Sequence, residues 1–131
     1  MDTLGLVLEV RVHAADIQDR DGAKIVLKPL KKKHWRVKKI WADAIYRGKL
    51  IEWVRDLRQG RGRRRIELEI VAKSAEGQFV ILPKRWIVER TFAWLGRSRR
   101  LSKDFEALCE TVEAWIHIAM IYLMVKRLAR S

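Results

Sequence analysis

The stretch KRWIVERTFAWLGRSRR, residues 84–100, carries six basic side chains and a single carboxylate, Glu89. Two kinds of chemistry suit a lone carboxylate among arginines. One is a surface ion pair: Arg85 precedes Glu89 by one helical turn, and such a pair contributes only ~0.3–0.5 kcal/mol when exposed. The other is a ligand for a hard divalent cation, which takes oxygen donors, set among guanidinium forks that match phosphate. Turning residues 84–97 at ~100° each puts Ile87, Val88, Thr91, Phe92, Trp94 and Leu95 on one arc, the expected core face. Arg85, Trp86, Arg90, Ala93, Gly96 and Arg97 share the other arc with Glu89. Ala93 and Gly96 leave the surface beyond the carboxylate bare, with room for a large anion. The spacing leaves both readings open, the ion pair being the commoner outcome of such a pattern.

The elements that must position this helix can be read from periodicity. Leu4, Leu6, Leu8, Val10 and Val12 alternate with polar or small residues, which predicts a strand with one buried face. AADIQDRDG is a loop offering Asp16, Asp19 and Asp21 as helix N-caps. AKIVLKPLKKKHW has helical character that Pro29 must kink or end. VKKIWADA predicts a short strand finishing at Asp43, and RGKLIEWVRDLRQ an amphipathic helix on Leu50, Ile51, Trp53, Val54 and Leu57. RIELEIV alternates as a half-exposed strand, and KSAEGQFVILP reads as a loop. Two helices follow, roughly 84–97 and 106–129, joined by RRLSKDF. This order predicts an α/β domain with a mixed sheet, residues 1–131 forming one unit.

Composition narrows the partner. The 131 residues hold 29 Lys and Arg against 16 Asp and Glu, a net charge of +13, so polyanions are attracted, nucleic acid before acidic membrane. Hydrophobic residues make up 49%, enough for a core and too many for a disordered basic tail. Cys109 is the only cysteine, which excludes disulfides and cysteine-rich zinc clusters and suits a reducing compartment. The start, MDTLGLVLEV, lacks the basic flank and cleavage site of a signal peptide, and AWIHIAMIYLMV is too short to span a bilayer. The expectation is a soluble intracellular protein.

Other candidates are weaker. Arg58, Arg61, Arg63, Arg64 and Arg65 lie within RQGRGRRR, either a solvated loop or a set of phosphate contacts. Trp35, Trp41, Trp53 and Trp115 fall on apolar faces and are expected in the core, whereas Trp86 is the tryptophan placed for base stacking. His13, His34 and His117 share no ligand spacing, Cys109 reads as a small packing residue, and Asp16, Asp19 and Asp21 lack the glutamate that completes a calcium loop.

RWIVERTFAWLGRSRRLSKDFE, followed by ETVEAWIHIAMIYLMVKRLAR, closely resembles the C-terminal part of bacterial insertion-sequence DDE transposases. GLVLEVRVHAADIQDRDGAKIVL resembles their second strand with the loop and helix after it, and IWADAIYRGKLIEWV the segment bearing their second catalytic aspartate. The resemblance implies a ribonuclease H-like domain, a mixed sheet flanked by helices, incomplete at its N-terminus. It implies metal-dependent cutting and joining of DNA at insertion-sequence ends. Three carboxylates there hold divalent ions, Mg²⁺ or Mn²⁺. Asp43 matches the second, Glu89 the third, and Arg85 the arginine one turn earlier.

Departures accompany the matches. The family's first aspartate matches nothing here, and Asp2 falls in the next strand. Leu82 and Gly96 replace the expected tyrosine and lysine, DAIY lacks the usual glycines, and Pro29 interrupts a continuous helix. Two of three carboxylates imply weak metal binding and a chain inactive by itself, a truncated copy in the bacterial cytoplasm associated with the nucleoid. Arg85, Trp86, Arg90, Arg97, Arg99, Arg100 and Lys103 are the expected DNA contacts. An unpaired edge strand would favour a homodimer, and an upstream transposase fragment could supply what is missing. The alternatives are a non-catalytic basic nucleic-acid-binding protein and, more remotely, a membrane-surface protein built on the basic last helix.

Overall fold

The computed structural model describes residues 1–57, 65–71 and 85–131. The chain divides into two compact units, residues 15–83 and residues 1–14 with 84–131.

In the first unit α1 (Asp19–Leu27) and α2 (Leu30–Lys33) flank Pro29, so the expected break occurs. Lacking an N–H, Pro29 serves as the N-cap of α2, and its carbonyl accepts from the amides of Lys32 and Lys33. The N-cap of α1 is Gln18 rather than an aspartate; Asp19 and Asp21 lie within the first turn, where negative charge meets the positive helix end. β1 (Lys39–Asp43) ends on Asp43 as expected, and β2 is Glu67–Val71. They pair in parallel, Lys39 opposite Glu67 and Asp43 opposite Val71. A parallel pair needs a crossover, which a 3-10 turn (Ala44–Tyr46) and α3 (Lys49–Asp56) contribute. Gly48 precedes α3 with a φ of 98°, a conformation that favours glycine.

The amphipathic readings of α3 and β2 locate the core. Leu50 and Val54 of α3 are buried against Ile66 and Leu68, with Ile40, Ala42, Trp53 and Ile70 packed around them. Glu67 and Glu69 face outward, where both pair with Lys39, at 3.4 Å for Glu67. The hydrogen bond to Glu69 is the main reason the Lys39 ammonium is held above its usual range.

The second unit is built on α4 (Arg85–Gly96) and α5 (Cys109–Leu128), joined through a 3-10 turn at Arg99–Leu101. Residues 4–12 form no strand among the described residues, contrary to the alternation. Asp2 redirects the chain instead. Its carboxylate accepts from the amides of Leu4 and Leu6, each at 2.9 Å, and closes a turn in which Gly5 adopts a φ of 82°. The segment then lies on the helices through their side chains. Arg90 donates to the Leu4 carbonyl at 2.9 Å, and Glu113 accepts from the Val12 amide at 2.8 Å and from Arg11 at 3.1 Å. The buried Thr91 hydroxyl lies 2.8 Å from the Gly5 carbonyl and 2.9 Å from that of Ile87.

Helix α4 is also rolled relative to its expected wheel. Ile87 and Thr91 are buried, but Phe92 is 65% exposed and Val88 40% exposed, while Arg90 is half-buried on the packed side. Trp35 departs too, lying 69% exposed under Arg36, whereas Trp41, Trp53 and Trp115 are half-buried.

Two substitutions test these packings by urea unfolding. Leu50→Ala removes a side chain that is 2% exposed and should cost ~3 kcal/mol. Gly5→Ala places a Cβ 2.7 Å from Thr91 Oγ1 in a positive-φ position and should destabilise by about 1–3 kcal/mol. An unchanged midpoint for either would refute the corresponding contact.

Candidate nucleic-acid interface and carboxylates

Asp43 reaches solvent because β1 stops there. Its backbone is extended, it precedes the Ala44–Tyr46 turn, and its carboxylate makes no capping bond to that turn. Its influence is visible on Tyr46. Partial burial pushes the phenol's pKa up, and the negative charges of Asp19 and Asp43 raise it further. An open depression of about 380 Å³ lies in the same unit, lined by Asp16, Gln18, Asp19, Arg20 and Ile45 among others.

Glu89 projects from the middle of α4 and is well exposed. Arg85 Nε donates to it at 3.2 Å, so the bland partner predicted by the spacing is present. With side chains 57% and 65% exposed, the pair contributes little to stability and either member can be drawn to a stronger partner.

The expected DNA contacts fall into two groups. Arg97, Arg99 and Lys103 are exposed around the C-terminal end of α4, and none has a carboxylate partner among the described residues. Arg85 and Arg100 are engaged: the former by Glu89, the latter by Glu106 while lying over Trp115 at 5.4 Å. Arg90 is the most committed. Its guanidinium lies 4.4 Å from the Trp86 ring and 4.7 Å from Trp94, and its Nε is buried without a hydrogen-bond partner. Arg127 of α5 covers Trp94 as well, at 4.3 Å. Trp86 is 50% exposed.

Sequence reasoning missed Trp94 as a seat for two arginines, and Glu113 and Glu106 as anchors. Arg127 lies too far along the chain from Trp94 for any local spacing to pair them. The Arg58–Arg64 part of the basic run, Leu82 and Lys84 lie outside the described residues; Arg65 is exposed. Cys109 is exposed rather than packed.

No three His, Cys, Asp or Glu side chains come together as metal ligands among the described residues. Asp43 belongs to the first unit and Glu89 to the second. No helix among them is long and apolar enough to cross a membrane.

A parallel strand pair crossed over by a helix in one unit, and a helix pair in the other, make a cationic α/β protein. The comparison with protein families is specific: the family model described as the transposase DDE domain matches residues 1–124, and the chain belongs to that family. Its members carry out DNA transposition and generally use divalent metal ions. No curated protein and no solved structure matches the chain.

The charges around Tyr46 have a measurable consequence. A phenol whose folded pKa is raised contributes stability that is present at lower pH and lost as pH rises through the folded value. Tyr46→Phe should therefore flatten the alkaline loss of stability above the ordinary tyrosine range. Asp43→Asn should lower the phenol's titration midpoint in ultraviolet difference spectra, without restoring it fully because burial is the larger cause. A midpoint indifferent to Asp43→Asn would remove that carboxylate from the tyrosine's surroundings.

Proposed function

We propose that the chain binds DNA as a transposase-family protein and does not cut it unaided. The observation that supports this most is the group of cations with no carboxylate partner among the described residues, Arg97, Arg99 and Lys103, in a chain matched to the family over residues 1–124. Guanidinium and ammonium groups with no protein partner keep their full attraction for phosphate and release counterions on contact. Arg85 can leave a weak exposed pair to join them. Trp86 offers a half-exposed ring for a base, while Arg90 serves mainly to hold that ring and the Leu4 carbonyl in place.

By resemblance Asp43 and Glu89 are the second and third metal carboxylates. Among the described residues neither has a third ligand beside it, so Mg²⁺ or Mn²⁺ binding is expected to be weak, and a second transposase fragment is the expected partner in cleavage. Insertion-sequence ends are the DNA, and the bacterial nucleoid is where the chain works. Gly96, where the family has a lysine, faces open space: nothing lies within 4 Å of an added Cβ.

Fluorescence anisotropy with duplex DNA across a salt series tests the binding surface. Replacing Arg97, Arg99 and Lys103 by alanine should weaken binding and lower the slope of log affinity against log salt by about one per side chain. Gly96→Lys should raise the slope by about one, whereas Asp43→Ala and Glu89→Ala should not weaken binding. Unchanged affinity in the triple variant would sink the proposed surface. Nicking assays on insertion-end DNA with Mg²⁺ or Mn²⁺ should show no cutting by the isolated chain, and robust cleavage would overturn the claim of inactivity.

A further inference from the structure

The segment KPLKKKHWRVKK, residues 28–39, holds seven Lys and Arg, no acid and one tryptophan. Its backbone decides how these side chains are displayed. Lys28 and Pro29 are both in the αR region, so Lys28 and Lys32 lie one helical turn apart. Helix α2 stops with His34 as its C-cap, and the His34 carbonyl accepts from the Val37 amide at 3.1 Å, closing a turn. Leu30 before the turn is buried, and Val37 after it packs against the core around Leu50. With both flanks pinned, Trp35 and Arg36 occupy the two corner positions of the turn. Trp35 is 69% exposed there, and the Arg36 guanidinium lies 5.1 Å from its ring centroid.

Lysines at helix C-termini are favoured by the dipole, which accounts for Lys28 and Lys32. It does not account for Trp35, Arg36 and Lys38. A tryptophan at a turn corner buries little apolar area and adds little to the core. Arg36 covers part of the ring, and the rest is open to a flat partner. Lys28, Lys32, Arg36 and Lys38 are exposed, and none has a carboxylate partner among the described residues, whereas Lys39 is held by Glu67 and Glu69.

Charge decides what can answer these cations. Residues 58–64 and 72–84 hold six Lys and Arg against one Glu. Residues 1–14 and 85–131 hold ten against seven acids, and four of those acids, Glu9, Glu89, Glu106 and Glu113, already pair with arginines of the same unit. No other part of the chain has negative charge in surplus, and covering lysines without it is costly. The complement is an external polyanion. A membrane surface would call for a wider apolar face than one ring. A single strand offers what the turn can take, phosphates for the cations and the face of an unpaired base for the ring.

We propose that the Trp35–Arg36 turn is a seat for single-stranded nucleic acid, with one base stacked on Trp35 and the adjoining phosphates on Lys28, Lys32, Arg36 and Lys38. The strand β1 begins at Lys39 and ends at Asp43, so about 13 Å of strand separates this seat from that carboxylate. The proposal does not rest on the duplex-binding reading, which concerns α4.

Fluorescence anisotropy of the full chain with labelled oligothymidylate, which cannot pair with itself, tests the seat. Trp35→Ala should weaken binding about tenfold, and Trp35→Phe should restore most of it. Affinity for duplex DNA should stay within about twofold for Trp35→Ala, since a duplex keeps its base faces in the stack. Replacing Lys28, Lys32 and Lys38 by alanine should lower the slope of log affinity against log salt by about two. The Trp35→Ala loss should persist when Arg97, Arg99 and Lys103 are also alanine, so failure of the α4 surface is read separately. Trp35 packs on no core residue, and its variants should keep the circular dichroism and urea midpoint of the unmodified chain. Oligothymidylate affinity indifferent to Trp35→Ala, or an equal loss on duplex and single strand, would overturn the proposal. Trp35-dependent binding to phosphatidylserine vesicles with none to oligothymidylate would overturn it in favour of a membrane surface.

Discussion

Like-charge repulsion is the constraint that most of this structure answers. At +13 on 131 residues the chain has far more cations than carboxylates to neutralise them. Aromatic faces take up part of the excess. Arg36 lies over Trp35, Lys39 over Trp41, Arg100 over Trp115 and Lys126 over Tyr122, while Trp86 and Trp94 share Arg90, and Trp94 also receives Arg127. Each such contact contributes about 0.5–1 kcal/mol at an exposed site, and more where water is displaced. The tryptophans that composition suggests as core are in large part supports on which guanidinium groups rest. That explains how a small apolar core, centred on Leu50, Val54, Ile66 and Leu68, coexists with such a charge.

The elements most legible in the sequence are those whose pattern has one physical solution. Ile66 and Leu68 alternating with glutamates, and Leu50 and Val54 one turn apart, specify a half-buried strand and an amphipathic helix that can cover each other. Pro29 stops a helix whatever surrounds it. The N-terminal alternation is ambiguous because an extended segment lying across helices buries alternate residues as a sheet does. What decided against a described strand there was the Asp2 carboxylate folding the chain back at Gly5, an interaction between a polar side chain and amides that hydropathy does not register. The roll of α4 was hidden for a related reason. Arg90 and Trp86 have apolar bodies and polar tips, so a wheel that sorts residues into two classes assigns them to water although their bodies pack.

The candidate site divides along the same line. The strand end at Asp43 and the helical position of Glu89 followed from periodicity, and the i, i+4 partner of Glu89 from spacing. Their significance as metal carboxylates came from resemblance alone, since an exposed ion pair and a metal ligand leave the same local pattern. The ranking of the arginines could not be read in advance. Whether Arg97 is uncompensated and Arg100 tied to Glu106 depends on where the chain turns between α4 and α5, and no periodicity encodes that turn.

The way residues 1–14 are held has an evolutionary consequence. A strand in a ladder is paired by its main chain, so neighbouring side chains can drift while the hydrogen bonds persist. Here Leu4, Gly5 and Val12 present main-chain groups to the side chains of Arg90, Thr91 and Glu113. The information that fixes the segment is thus stored some eighty to a hundred positions away, in α4 and α5. Drift at those three helical positions removes the segment's anchors without touching a main-chain hydrogen bond of either helix, so secondary-structure content is a poor gauge of whether this segment is held.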